Sequence, residues 1–164
     1  MSAVLAPSIQ LRPMQEADLP SVMEIEKAAY NFPWTQSIFK DCLRVGYSAI
    51  VLEIYDSIVG YGIISVAVGE AHILNLCIHP ELQRCGYGRR ILKRLLAIAQ
   101  QKGAQSVFLE VRPSNQAAIL LYHKMGFNQI GVRKKYYLYG DKGREDGLIF
   151  ALELYDSENA FRSS

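Results

Sequence analysis

The sequence predicts an α+β domain of mixed α/β character, with elements in the order β-α-α-β-β-β-α-β-α-β-β. Three observations carry this. Residues 47–78 are rich in β-branched and aromatic side chains with glycine punctuation, which reads as three consecutive antiparallel strands. Ile91, Leu92, Leu95, Leu96, Ile98 and Ala99 form one apolar helical face, with Arg90, Lys93, Arg94 and Gln101 opposite. Segments of helical and strand period interleave along the chain rather than segregating, giving seven strands and four helices in one layered sheet domain.

In chain order, Ile9, Leu11 and Pro13 alternate with Gln10 and Arg12 as a first strand, and residues 16–30 place Leu19, Val22, Met23, Ile25 and Glu26 in a helical rhythm. A second helix starts from Thr35 as N-cap and runs through Ile38, Phe39, Cys42 and Leu43 to Gly46 as its C-terminal glycine. The three strands are 47–55, 58–68 and 71–78, with a turn at Asp56-Ser57. After a loop at 79–87 the amphipathic helix runs to near Gly103. Then come a strand at 106–111, a helix at 114–125 closed by Gly126, a strand at 127–139, a turn at 140–143 and a last strand at 146–154. The reading is one domain over 1–154 and a C-terminal tail over 155–164.

The chain has 164 residues, 50% apolar and 21% charged, enough to build a substantial core and unlike a disordered chain. A net charge of +2 does not imply a dedicated nucleic-acid surface. Cys42, Cys77 and Cys85 are odd in number and form no Cys-x-x-Cys pair, so neither a disulfide framework nor a cysteine-rich zinc site is indicated. They fit a reducing cytosol. His72, His79 and His123 lack metal-ligand spacing, so no metal is expected. The first ten residues lack a signal pattern, and no segment approaches the roughly eighteen apolar residues of a membrane span. The expected location is cytoplasmic, away from membranes; nothing bears on oligomeric state.

The strongest local signal is Gln83-Arg84-Cys85-Gly86-Tyr87-Gly88-Arg89, between an apolar strand and an amphipathic helix. Unpaired N–H groups at a helix start bind anions, and glycines let a phosphate approach the chain closely. Arg84, Arg89 and Arg90 add charge for a ligand with several phosphates. The segment lacks the Gly-Lys-Ser/Thr ending of a P-loop and the third glycine of the dinucleotide fingerprint, so another phosphate-bearing cofactor is required.

With that loop, Phe32-Pro33-Trp34-Thr35, Leu76-Cys77-Ile78-His79-Pro80, Leu109-Glu110-Val111-Arg112-Pro113-Ser114-Asn115 and Ala117-Ala118-Ile119 make the chain resemble the GNAT-superfamily acetyltransferases. Leu121-Tyr122, Met125-Gly126-Phe127, Tyr136-Tyr137 and Gly143-Arg144-Glu145-Asp146 extend the likeness over nearly the whole length. Within that superfamily it is similar to the RimI family of ribosomal-protein N-terminal alanine acetyltransferases. The resemblance implies a central, twisted, mostly antiparallel sheet of about seven strands flanked by about four helices. It implies acetyl-CoA as cosubstrate and a protein or peptide N-terminus as acceptor, that of a small-subunit ribosomal protein. It implies that Leu76, Cys77 and Ile78 offer backbone groups to the pantetheine arm and acetyl carbonyl, and that Arg84, Cys85, Gly86, Tyr87, Gly88 and Arg89 surround the diphosphate. Asn115 would contact the cofactor, Glu110 act as general base and Tyr122 as general acid. Cys85 and Tyr87 fill variable loop positions, and Cys77 stands where a smaller residue is usual.

The chemistry asks for the same types. An amine must lose a proton to attack a thioester and the departing thiolate is better protonated, so a base and an acid are both useful. Strand alternation puts Glu110 on the face of Phe108, opposite Val107, Leu109 and Val111. On the residues alone, Glu110 is equally a salt-bridging carboxylate, to Arg112 or a nearby lysine. Tyr122 shares a helical stripe with Ala118, Leu121 and Met125, where an aromatic is commonly core. Trp34, Tyr136, Tyr137 and Tyr139 are either groove walls or packing. A cysteine nucleophile at Cys85 or Cys77 lacks a partnering histidine and carboxylate. The alternatives are a broader acetyltransferase acting on other N-termini, lysines or small amines, a non-catalytic acyl-CoA-binding protein, and a nucleic-acid binder resting only on Arg89, Arg90, Lys93 and Arg94.

Overall fold

The computed structural model describes residues 8–138 and 143–154, with backbone only at 135–138. The expected tail at 155–164, Tyr139 and most of the 140–143 turn lie outside the described residues. Seven strands form one sheet in the order β1-β2-β3-β4-β5-β7-β6, with four α-helices among the described residues. The strands are β1 Ile9–Pro13, β2 Ser48–Ile54, β3 Ser57–Ala67, β4 Glu70–Ile78, β5 Ser106–Val111, β6 Asn128–Leu138 and β7 Arg144–Glu153. The helices are α1 Leu19–Ala29, α2 Gln36–Arg44, α3 Tyr87–Gln101 and α4 Gln116–Lys124. The sheet is mostly antiparallel, with β4 and β5 parallel. The chain packs as two units, Met1–Ile63 with Asn75–Leu92, and Ile64–Leu74 with Lys93–Ser164.

In the first unit β1 pairs β2 from Ile9↔Ile54 to Pro13↔Ile50. The expected helix at 16–30 divides into a 3-10 turn, Glu16–Asp18, and α1 from Leu19. Pro20 at the helix start explains the division, since its missing N–H is harmless only in a first turn. Asp18 also takes a bidentate grip on Arg12 at 2.7 and 2.8 Å, and Arg12 reaches Glu53 at 2.6 Å. Leu19, Val22, Met23 and Ile25 bury one face of α1 in a core with Phe39, Val51, Tyr61 and Ile63. Thr35 caps α2 by accepting the Ile38 N–H, as expected. Gly46, at φ +85°, closes α2: its N–H reaches the Leu43 carbonyl while the Tyr47 N–H reaches that of Cys42. The turn before β3 is Tyr55-Asp56, one residue earlier than expected, and both residues have the positive φ of a tight hairpin turn.

In the second unit β4 runs parallel to β5 over Glu70–His72 against Ser106–Phe108. β5 pairs β7 along its whole length, placing Glu110 opposite Ile149. Val107, Leu109 and Val111 are buried while Ser106, Phe108 and Glu110 are half-buried, so the expected alternation holds. β6 pairs β7 with irregularities at Gln129/Gly131 and Arg133/Tyr137.

Candidate active site

The glycine loop belongs to the first unit. Arg84 and Gly86 both adopt left-handed backbone, at φ +67° and +85°. The Gly86 carbonyl accepts the Arg90 N–H at 3.3 Å, which makes Gly86 the last residue before α3. The N–H groups of Tyr87, Gly88 and Arg89 therefore have no acceptor within their own helix and stand at its positive end. Alternating handedness before a helix start turns successive N–H groups into a concave anion cradle. A Cβ on Gly86 would meet no atom within 4 Å, so the space beside the cradle is open. Arg84, Cys85, Arg89 and Arg90 are exposed. The arrangement can take a diphosphate.

The Leu76–Ile78 stretch ends β4 in the same unit. Gly60 of β3 makes its close approach: a Cβ there would lie 2.9 Å from the Cys77 carbonyl oxygen and 2.5 Å from Ile78. The Leu76 carbonyl accepts the Tyr30 hydroxyl at 3.4 Å. Cys77 is buried, and burial pushes its thiol up to about 11, so it stays protonated and unreactive near neutrality.

In the second unit Glu110 does not sit in an apolar setting. Its carboxylate pairs with Arg133 at 2.9 Å, with 23% of the Glu110 side chain and 52% of the Arg133 side chain exposed. The salt-bridging alternative for Glu110 is thus present, with Arg133 as the partner, while Arg112 lies 3.9 Å from Glu145. Tyr122 is buried, as the core reading of its helical stripe expects, and packs on Phe127 and Phe150 with ring centroids 5.6 and 6.4 Å away. Asn115 is the N-cap of α4, its Oδ1 accepting the Ala118 N–H at 3.3 Å. That leaves the side-chain amide N–H groups as what Asn115 can offer a ligand.

Three residues were given no role of their own from the sequence. Gly60 is one. Glu145 accepts the Ser114 N–H at 2.7 Å and the Ser114 hydroxyl at 3.1 Å, so the carboxylate of the Gly-Arg-Glu-Asp run pins the loop leading to Asn115 and α4. Glu26 is 2% exposed; the available signal was a charged residue standing in the apolar register of α1. Trp34 packs on Phe39, ring centroids 5.2 Å apart, which is a core role; the side chains of Tyr136 and Tyr137 lie outside the described ones. Among the described residues no cluster of His, Cys, Asp or Glu is arranged to hold a metal ion, and no helix is long and apolar enough to cross a membrane.

The acetyltransferase (GNAT) family model matches residues 19–127. The ribosomal protein bS18-alanine N-acetyltransferase of Escherichia coli K12 is 36% identical over 141 residues, covering 86% of this chain and 95% of that protein. The crystal structure of the Escherichia coli ribosomal-protein-S18-alanine N-acetyltransferase superposes with a TM-score of 0.84 at 34% identity, over 92% of this chain and 96% of that one. The structure of yncA from Salmonella typhimurium with its cofactor acetyl-CoA shares the fold, with a TM-score of 0.77 at 20% identity over 91% of this chain and 95% of that one. The sheet order, the glycine loop opening α3 and these likenesses together place the chain in the GNAT acetyltransferase family, in its RimI branch.

Proposed function

We propose that this enzyme transfers the acetyl group of acetyl-CoA to the N-terminal alanine of ribosomal protein bS18, the acceptor named for its Escherichia coli relative. The observation that carries the cofactor half is the start of α3, where Arg84 and Gly86 turn the chain so that the N–H groups of Tyr87, Gly88 and Arg89 can hold the diphosphate. The backbone of Leu76, Cys77 and Ile78 then receives the pantetheine arm and acetyl carbonyl, and Asn115 gives the cofactor a side-chain N–H.

The α-amine attacks the thioester carbonyl directly. Its nitrogen bonds to the acetyl carbon, Glu110 takes the amine proton, the carbon–sulfur bond breaks, and Tyr122 gives its proton to the departing thiolate. An α-amine with a pKa near 8 costs about 1.4 kcal/mol to deprotonate at pH 7, against roughly 4.6 kcal/mol for a lysine near 10.4, which favours an N-terminal acceptor.

The test is mass spectrometry after incubating the protein and acetyl-CoA with a bS18 N-terminal peptide, other N-terminal peptides, lysine peptides and small amines. The bS18 peptide should gain one acetyl group, on its α-amine, at the highest rate. Faster modification of another acceptor would replace this substrate. Acetyl-CoA binding with no acceptor modified would leave only a binding protein.

A further inference from the structure

The most buried carboxylate among the described residues belongs to Glu26, which the acid/base pair does not use. It sits at the centre of a polar cluster within an apolar core. Its Oε1 accepts the Trp34 backbone N–H at 3.1 Å, and its Oε2 accepts the Tyr61 hydroxyl and the Asn75 side-chain amide, the latter at 3.2 Å. A buried charge is tolerated only when its lone pairs are met in this way, and removing a partner is strongly destabilising. Four separate pieces of chain converge there: α1, the loop before α2, β3 and the end of β4. From the C-cap of α1, Tyr30 donates to the Leu76 carbonyl at 3.4 Å. Burial, with Cys77 and Glu26 beside it, holds the Tyr61 phenol far above its ordinary range, so it remains a donor at every working pH.

We propose that Glu26 is a positioning residue for acetyl transfer: its carboxylate holds Asn75 and Tyr61 on one side and the Trp34 N–H on the other, and with Tyr30 it sets the Asn75–Cys77 backbone against which the acetyl thioester is placed. The inference rests on the function proposed above, because it gives the end of β4 the thioester. A hydrophobic core alone has no need of a carboxylate in this position, since well-packed apolar residues serve stability as well or better. What the carboxylate adds is direction: it fixes which way a strand end and a neighbouring loop face.

The test compares the parent with Glu26→Gln and Tyr30→Phe. Glu26→Gln keeps shape but offers an N–H where a donor already points. Tyr30→Phe removes only the hydroxyl on the Leu76 carbonyl and guards against a Glu26 variant that does not fold. Affinity for CoA, which lacks the acetyl group, should stay within about threefold of the parent by calorimetry, because the diphosphate cradle is untouched. In folded Glu26→Gln, kcat should fall about 10- to 100-fold, the scale of a small misplacement of reacting groups, with a smaller fall in Tyr30→Phe. The infrared carbonyl stretch of bound acetyl-CoA should differ between parent and Glu26→Gln, a readout that loss of stability alone does not move. Parental kcat and an unchanged carbonyl stretch in the folded variants overturn the positioning role, even if Tm drops. A parent that acetylates no amine overturns the underlying function instead, and this role with it.

Discussion

The Glu110 carboxylate and the Arg133 guanidinium lie 2.9 Å apart, one on β5 and the other on the edge strand β6. An ion pair this open to water contributes little stability, about 0–1 kcal/mol. On the function proposed above, its use is in aiming the carboxylate that takes the amine proton. Arg133→Ala should therefore leave Tm within a few degrees and lower kcat several-fold, while Arg133→Lys should recover part of the rate. Steady-state kinetics with thermal unfolding checks both. A large Tm loss with unchanged kcat would make the pair purely structural.

Gly86 has room for a side chain but not the backbone for one. At φ +85° and with nothing within 4 Å of a Cβ, Gly86→Ala is penalised by handedness alone, about 1–2 kcal/mol. The alanine methyl stands in the space a diphosphate needs, so acetyl-CoA affinity should fall by more than that fold cost predicts. Calorimetry on the folded variant decides it, and unchanged affinity would move the diphosphate elsewhere.

How much of this was legible depended on distance along the chain. The strand Ser106–Val111 was read to the residue because alternation and flanking turns are local signals, and Thr35 announced itself as a cap for the same reason. Glycine loop and helix start lie within a few residues, so the turn that opens α3 was visible as well. The Glu26 cluster was not, since Tyr61 and Asn75 lie 35 and 49 positions away, and Glu145 reaches Ser114 across 31. Only folding brings these together. The Arg133 partner of Glu110 was out of view for the same reason, since it lies on β6, 23 positions further along the chain, whereas Arg112 is close in sequence but pairs with Glu145.

Acid should act through Asp18. Hydrogen bonding to Arg12 holds its carboxyl below the ordinary value of 3.8, so it contributes stability above that pH and loses it as pH falls through the lower folded value. Asp18→Asn should destabilise the protein by about 1–2 kcal/mol at pH 7, less than a fully buried pair because 26% of the Arg12 side chain meets water. Below pH 3.8 the gap between variant and parent should close. Urea unfolding across pH 2–7 checks it, and a constant gap would assign the effect to packing.

Cysteine chemistry should be absent from turnover. Cys85 is exposed in the glycine loop, whereas Cys77 is buried with its thiol raised to about 11. Iodoacetamide at pH 8 should therefore label Cys85 well before Cys77. Cys85→Ala should keep its rate, because the amine attacks the thioester directly. An acetylated cysteine that chases into product would overturn this.

Tyr122→Phe and Glu110→Gln should separate the two proton transfers. Tyr122 is buried against Phe127 and Phe150, so phenylalanine should be accepted there with little change in packing. Cofactor affinity should persist in both variants, since neither side chain belongs to the α3 cradle. Loss of the base leaves the amine to shed its proton unaided, so Glu110→Gln should be slowest at low pH and should recover as pH approaches the amine pKa near 8. Loss of the acid leaves a thiolate to depart unprotonated, and higher pH brings Tyr122→Phe no such recovery. A more acidic leaving thiol should help Tyr122→Phe but not Glu110→Gln, because it needs protonation less. General acid or base catalysis is commonly worth about 10²–10⁴-fold, so either loss is well within the range of single-turnover measurement. The experiment is single-turnover acetylation of an alanine peptide across pH, with acetyl-CoA affinity measured separately for each variant. Near-parental rates for both variants would remove the acid/base pair and turn the search to other polar groups around the acetyl carbon.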